Sequence, residues 1–415
     1  MKFQKLQKSI QTLLLLLVIW SVPQFAFAQA TLQNLNQSLR YSRYSRIDLK
    51  IIPIKKAENS FSVQMPIEKI EDNIEFGDYL FSYAVVNSFT EEITDEKIIP
   101  LTEDKLRYDT DRHFYFEENI EVPADQNEAY VVLWAKDTRQ GDEYIYHADL
   151  RSPYIFETPS LGAYFSNNIP FDQNFLIRGQ ALLFKSNQGV NLFSFYYPQE
   201  FNVPVPPMET KPAPVQKEVD VIEEEPFLQN VPKTFDQTGY YFIQSDTTAP
   251  AGVLVKTVNE TFPKVADWDE MVQMVVYIST RREHEKLLEA EDKKRALDEY
   301  WINMTKSEDI SKTLIREYFR QVEFANILFT DFREGWKTDR GMIYVVMGPP
   351  EEVYFNVDRE VWVYGGVDSN SKINFTFARV KNVLTPNYYQ LNRSRAYQPE
   401  WFKRITLWRS GKIAF

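Results

Sequence analysis

A carboxylate and a guanidinium lie side by side at Asp339 and Arg340, preceded by Lys337 and Thr338 and followed by Gly341. Fixed on a turn at a helix end, that pair has the chemistry to orient or bind an anionic or polar ligand. Glu351 and Glu352, just after the Gly348-Pro349-Pro350 break, are the nearest candidates for a general acid. The same residues also suit a tight turn, with Asp339 closing it by side-chain to backbone hydrogen bonds and Gly341 supplying positive φ. On that reading an exposed hydrogen bond at Asp339 contributes only about 0.5 to 1.5 kcal/mol. Trp336 reads as a lid on a core, and the two prolines, which cannot donate to a ladder, mark a loop and not a phosphate cradle. The candidate binding or structural signature is thus Gly335, Trp336, Thr338, Asp339, Arg340, Gly341, Gly348, Pro349 and Pro350. Phosphate-loop, dinucleotide and nucleophile-elbow patterns are missing from the sequence. With no cysteine and only His113, His147 and His284, far apart, no metal, cofactor or catalytic residue is assigned.

These residues need elements to hold them. Ile310, Leu314, Tyr318, Val322, Ala325 and Phe329 recur at three and four residues, which predicts a helix with one apolar face. Thr305 with Glu308 has the form of a capping box at its start, and Gly335 stands where a left-handed cap would end it. Asp267 is placed to cap an earlier helix carrying Met271, Val275 and Ile278. The six apolar residues 342–347 read as a strand, with further strands at 360–364 and 373–379. The C-terminal part is therefore expected to be α+β, helices packed on a small antiparallel sheet. Beyond Thr385 the chain is aromatic and basic, and no element is assigned to it.

Gly335-Trp336-Lys337-Thr338-Asp339, then Arg340-Gly341, Ile343-Tyr344 and Gly348-Pro349-Pro350, resemble the signature of the GWxTD domain family. The resemblance covers roughly the last third of the chain and extends at most into the β-rich region before it. It implies an exported bacterial module, with no established activity to carry over.

The start of the chain agrees with export. Lys2, Lys5 and Lys8, an apolar run over 13–20 and Ala26-Phe27-Ala28 have the pattern of a signal peptide over 1–28, cleaved before Gln29. The apolar run is too short to span a bilayer, and no later stretch is apolar enough to do so. Cleavage leaves 44 basic against 59 acidic residues, a net charge of −15, which disfavours nucleic acid and anionic lipid. Residues 29–45 read as a leader. Period-two alternation from Ile47 to Ile51 and from Phe61 to Met65, with further strand-like runs, predicts an immunoglobulin-like antiparallel β-sandwich over 46–152. A second β-sandwich is expected over 153–262, interrupted by a proline- and acid-rich loop at 203–232, and the α+β domain over 263–415. The loop's prolines could present a polyproline surface to a partner, or the loop is simply solvated. The expected function is non-enzymatic: an exported protein of the periplasm or outer cell surface, binding other envelope proteins as a scaffold or assembly component. The alternative is a glycan-processing hydrolase or carbohydrate-binding protein that uses the signature turn. Oligomeric state is not legible.

Overall fold

The computed structural model describes residues 30–210, 220–366 and 372–413, so the expected signal peptide and part of the proline- and acid-rich loop lie outside the described residues. The chain begins with a β-rich region: β1 (Ile47–Leu49), β2 (Ile52–Ala57), β3 (Ser60–Lys69), β4 (Tyr79–Val86), β5 (Ile99–Leu101), β6 (Leu106–Asp109), β7 (His113–Glu121), β8 (Ala129–Asp137) and β9 (Glu143–Arg151). One antiparallel sheet has the order β1-β3-β7-β6 with β2 also on β3, and a second has the order β9-β8-β4-β5. Alternate residues of each, including Phe61, Val63, Met65 and Ile67 of β3 and Tyr79, Phe81 and Tyr83 of β4, meet in one apolar core. That is the consequence of period-two patterning, which sends alternate side chains to one face. The other face of β3 is not solvated, as its alternation predicts. Gln64 donates to the Tyr164 hydroxyl (2.7 Å), and Ser62 donates to Glu117.

The next strands are β10 (Leu161–Tyr164), β11 (Leu176–Ile177), β12 (Ala181–Ser186), β13 (Asn191–Tyr197), β14 (Glu223–Leu228), β15 (Lys233–Thr234), β16 (Gly239–Gln244) and β17 (Val253–Val258). They form a sheet β10-β12-β15 and a five-stranded sheet β11-β17-β16-β13-β14 around a smaller core. Two findings differ from expectation. Part of the expected loop is strand β14, because its backbone pairs with β13 from Tyr196 to Asn191. Also, β11 runs parallel to β17, so this region is not wholly antiparallel.

The helices follow: α1 (Trp268–Met274), α2 (Arg281–Glu289), α3 (Lys293–Thr305), α4 (Glu308–Phe329), α5 (Asp339–Met347) and, near the end, α6 (Gln398–Arg409). Between α5 and α6 lies an antiparallel meander, β18 (Glu352–Asn356), β19 (Arg359–Gly365), β20 (Lys372–Arg379) and β21 (Tyr389–Leu391). Asp267 caps α1, as its position predicts, by accepting from the Asp269 and Glu270 amides. The cap of α4 is Ser307, since Thr305 still belongs to α3. The α4 stripe is buried from Leu314 to Phe329, but Ile310 is 42% exposed.

Residues 342–347 are helix, not strand. Every one of them is buried, so the run shows neither the alternation of a half-buried strand nor the single apolar face of a surface helix. The Thr338 hydroxyl accepts the Gly341 amide and starts α5, and Gly348 at φ 84° ends it. Gly335 does not cap α4 in a left-handed conformation, because α4 has already ended before Thr330.

Residues 30–45 are no peripheral leader. Two 3-10 turns, Leu32–Asn34 and Ser38–Tyr41, bury Leu32, Leu35 and Tyr41 in a large core shared with Trp134 of β8, Val353 of β18 and Trp336. The same core takes Ala84, Val86, Tyr130 and Val132, so β8 is buried on both faces and reads as an unbroken apolar run. The β-rich start and the helical end of the chain are therefore interlocked through one apolar interior.

Candidate functional site

The signature is built on the end of α4. There the Thr330 hydroxyl donates to the Asn326 carbonyl (2.6 Å) and accepts the Gly335 amide (3.0 Å), while Asn326 Oδ1 accepts the Trp336 amide (3.2 Å). Gly335 is pressed so closely on α4 that a Cβ there would lie 1.9 Å from the Ala325 carbonyl oxygen. A Cβ at Gly341 would lie 1.9 Å from the Gly335 carbonyl oxygen. Both glycines are thus required by close approach, and Gly341 is helical instead of supplying a positive φ.

Trp336 is 1% exposed, with its ring packed edge-on to Tyr277. Its indole N–H donates to Glu334 (2.7 Å), and its carbonyl accepts the Tyr277 hydroxyl (2.6 Å). Thr338 both caps α5 and donates to the Gly335 carbonyl (2.7 Å). Asp339 sits at the first turn of α5, where a carboxylate is favoured by the helix dipole. It is 6% exposed, which corrects the expectation of an exposed turn. Its Oδ2 accepts the Leu391 amide (2.8 Å), and both carboxylate oxygens engage Arg393. Arg393 reaches on to the Val205 carbonyl, and the Ser394 amide donates to that of Pro207, so the start of the proline-rich segment is fastened here.

Arg340 points to the other side. Its guanidinium donates to Glu360 (3.3 Å) and the Asn387 carbonyl (3.0 Å) and lies over the rings of Phe329 and Tyr389. Glu360 is fully buried and also accepts from the Tyr41 hydroxyl (2.7 Å) and the Trp362 indole. Burial, reinforced by the negative Glu360, pushes the Tyr41 hydroxyl far above its usual pKa, so it remains a donor at any ordinary pH. Tyr41 in turn accepts at its carbonyl from Tyr344 of α5 (3.0 Å). Arg379 makes a second buried pair across the two regions, with Asp149 of β9.

Glu351 and Glu352 do not converge on Asp339. Glu351 accepts the Gly365 amide (3.0 Å), and Glu352 pairs with Lys372 (3.0 Å). Gly348 donates to the Tyr344 carbonyl and accepts the Tyr364 hydroxyl (2.9 Å), with Pro350 buried behind it. Sequence reasoning did not pick out Tyr41, Asn326, Glu360 or Arg393. An unassigned basic tail and a lone acid in an apolar strand were the available signals for the last two.

A cleft of about 140 Å³ opens beside the signature, between the ends of β13, β16 and β17 and the α1 and α4 segments. Glu334 and Lys337, which flank Trp336 and pair with each other (3.3 Å), form part of its wall. Lys256, Glu270 and Gln199 line it as well.

No curated protein matches the chain. Residues 239–410, from strand β16 to just past the end of α6, match the family model of the GWxTD domain.

Proposed function

We propose that this is an exported cell-envelope protein whose GWxTD domain is a rigid seat for the β-rich region, and which binds other envelope proteins through that region without catalysis. On this reading residues 1–28 are a signal peptide, and 46–152 and 153–262 are immunoglobulin-like β-sandwiches, the second interrupted between β13 and β14. Residues 263–415 are the part on which they rest, and the GWxTD match reaches back from it into β16 and β17 of the second region. The observation that supports it is the shared core: one face of the β4, β8 and β9 sheet is buried with Trp336, Tyr344 and Trp362. Such an interior fixes the β-rich region in orientation and leaves its outer surfaces for a partner.

The signature's charged groups argue against its use as a hydrolytic or glycan-binding centre. Asp339 is held by Arg393 and Arg340 by Glu360, while Glu351 and Glu352, the acids expected to assist them, bond to Gly365 and Lys372 instead. Photo-crosslinking in intact cells, with the reactive side chain at exposed Leu80 or Tyr108, tests the reading. A protein neighbour is expected, together with no cleavage of cell-wall glycans by the purified chain. Absence of any protein neighbour combined with glycan cleavage would reverse it.

A further inference from the structure

The cleft beside the signature contains charges that the chain does not satisfy. Lys256 lines it with a side chain that is largely buried, yet among the described residues its ammonium has neither a carboxylate at ion-pair distance nor a hydrogen-bond acceptor. The carboxylate of Glu270, half-buried at the start of α1, also lines it and has no donor among the described residues. Gln199 Oε1 is buried without a donor, while the amide's other end is fixed by donating to the Asp220 carbonyl (3.0 Å). Burial lowers the pKa of Lys256, and burial with the nearby Glu334 raises that of Glu270. Both shifts have the direction of charges deprived of water and given no sufficient partner in exchange.

The neighbouring Glu334 cannot relieve either group, since it is already engaged by Lys337 and by the Trp336 indole. A bare anion would meet Glu200 and Glu270, and a bare cation would meet Lys256 and Lys337. A ligand carrying both signs answers both walls. We propose that the cleft binds a small zwitterion of the amino-acid or short-peptide class, its carboxylate on Lys256, its ammonium on Glu270, and an N–H on Gln199 Oε1. The volume suits a free small molecule, whose two charged ends are close together, and not a chain terminus, which has only one. The inference goes beyond the protein-partner reading and stands or falls apart from it.

Calorimetric titration of the full mature chain with dialanine tests it, beside N-acetyl-dialanine and dialanine amide, each lacking one charge. Saturable binding of dialanine is expected, weakened about tenfold or more when either end is blocked. Lys256→Met and Glu270→Gln should each weaken dialanine by a similar factor. Lys256→Met should also melt at or above the wild-type temperature without ligand, because it removes an unpartnered buried charge. No saturable binding at millimolar dialanine, equal binding of the blocked forms, or a clearly lower melting temperature for Lys256→Met would each overturn the proposal. The last would mean that Lys256 is structural.

Discussion

Two groups of charged residues adjoin the stretch around Trp336, and they are treated in opposite ways. In the signature itself, Asp339, Arg340, Arg393 and Glu360 each meet an opposite charge and further hydrogen-bond partners. In the cleft next door, Lys256 and Glu270 have no ion-pair or hydrogen-bond partner for their charges among the described residues. A buried charge with a full set of partners contributes to specifying one arrangement of the chain, whereas one without partners is a cost that the fold carries. On the reading proposed above, the conspicuous motif is architectural, and the inconspicuous residues beside it are the ones with capacity to bind.

The largest test of that contrast is Trp336→Ala. It empties a core position and removes the indole donor to Glu334, so a loss of about 3 to 5 kcal/mol is expected from chemical denaturation. Near-normal stability would mean that the signature is a site after all.

Arg393→Met comes next. It leaves the Asp339 carboxylate buried without its guanidinium, a loss of about 3 kcal/mol, well above the 0.5 to 1.5 kcal/mol suited to an exposed turn at that position. Adding Asp339→Asn should recover a substantial part of the loss by removing the stranded charge. A double mutant as unstable as the sum of the singles would show that the two side chains act separately.

The smallest effect concerns the junction between the two regions. His147 of β9 is partly buried, contacts Gln37 Oε1 (3.0 Å) and packs edge-on against Phe355 of β18. Burial first, then Arg40 and Arg379, hold its pKa well below the usual value, so the imidazole is neutral in the fold. The unfolded chain takes up that proton below its ordinary value of about 6.5, and the native fold does not. The neutral imidazole therefore costs nothing above about pH 6.5 and loses stability below it, by at most about 1.4 kcal/mol per pH unit. His147→Gln should flatten the melting temperature between roughly pH 6.5 and 5 relative to wild type. Parallel curves for the two proteins would show that His147 does not titrate on unfolding.

Much of the fold was legible from residue spacing alone. Period-two runs located the strands Ile47–Leu49 and Ser60–Lys69, and the recurrence from Leu314 to Phe329 located α4, because one core-facing side imposes one period. Asp267 could be named as a cap for the same kind of local reason: its side chain bonds to amides two and three residues on. The sequence also carries the Gly-Trp-x-Thr-Asp stretch that lies within the match to the GWxTD family model. Only the tertiary structure decided that residues 342–347 are a helix, since a segment buried on every side carries no period to read. It alone decided that residues 32–41 are core, through long-range contacts of Tyr41 with Glu360 and Tyr344 that no local pattern encodes. It also decided that Asp339 and Arg340 face inward to Arg393 and Glu360. The partners of a buried charge are chosen by how distant segments pack, and sequence spacing constrains only its neighbours along the chain.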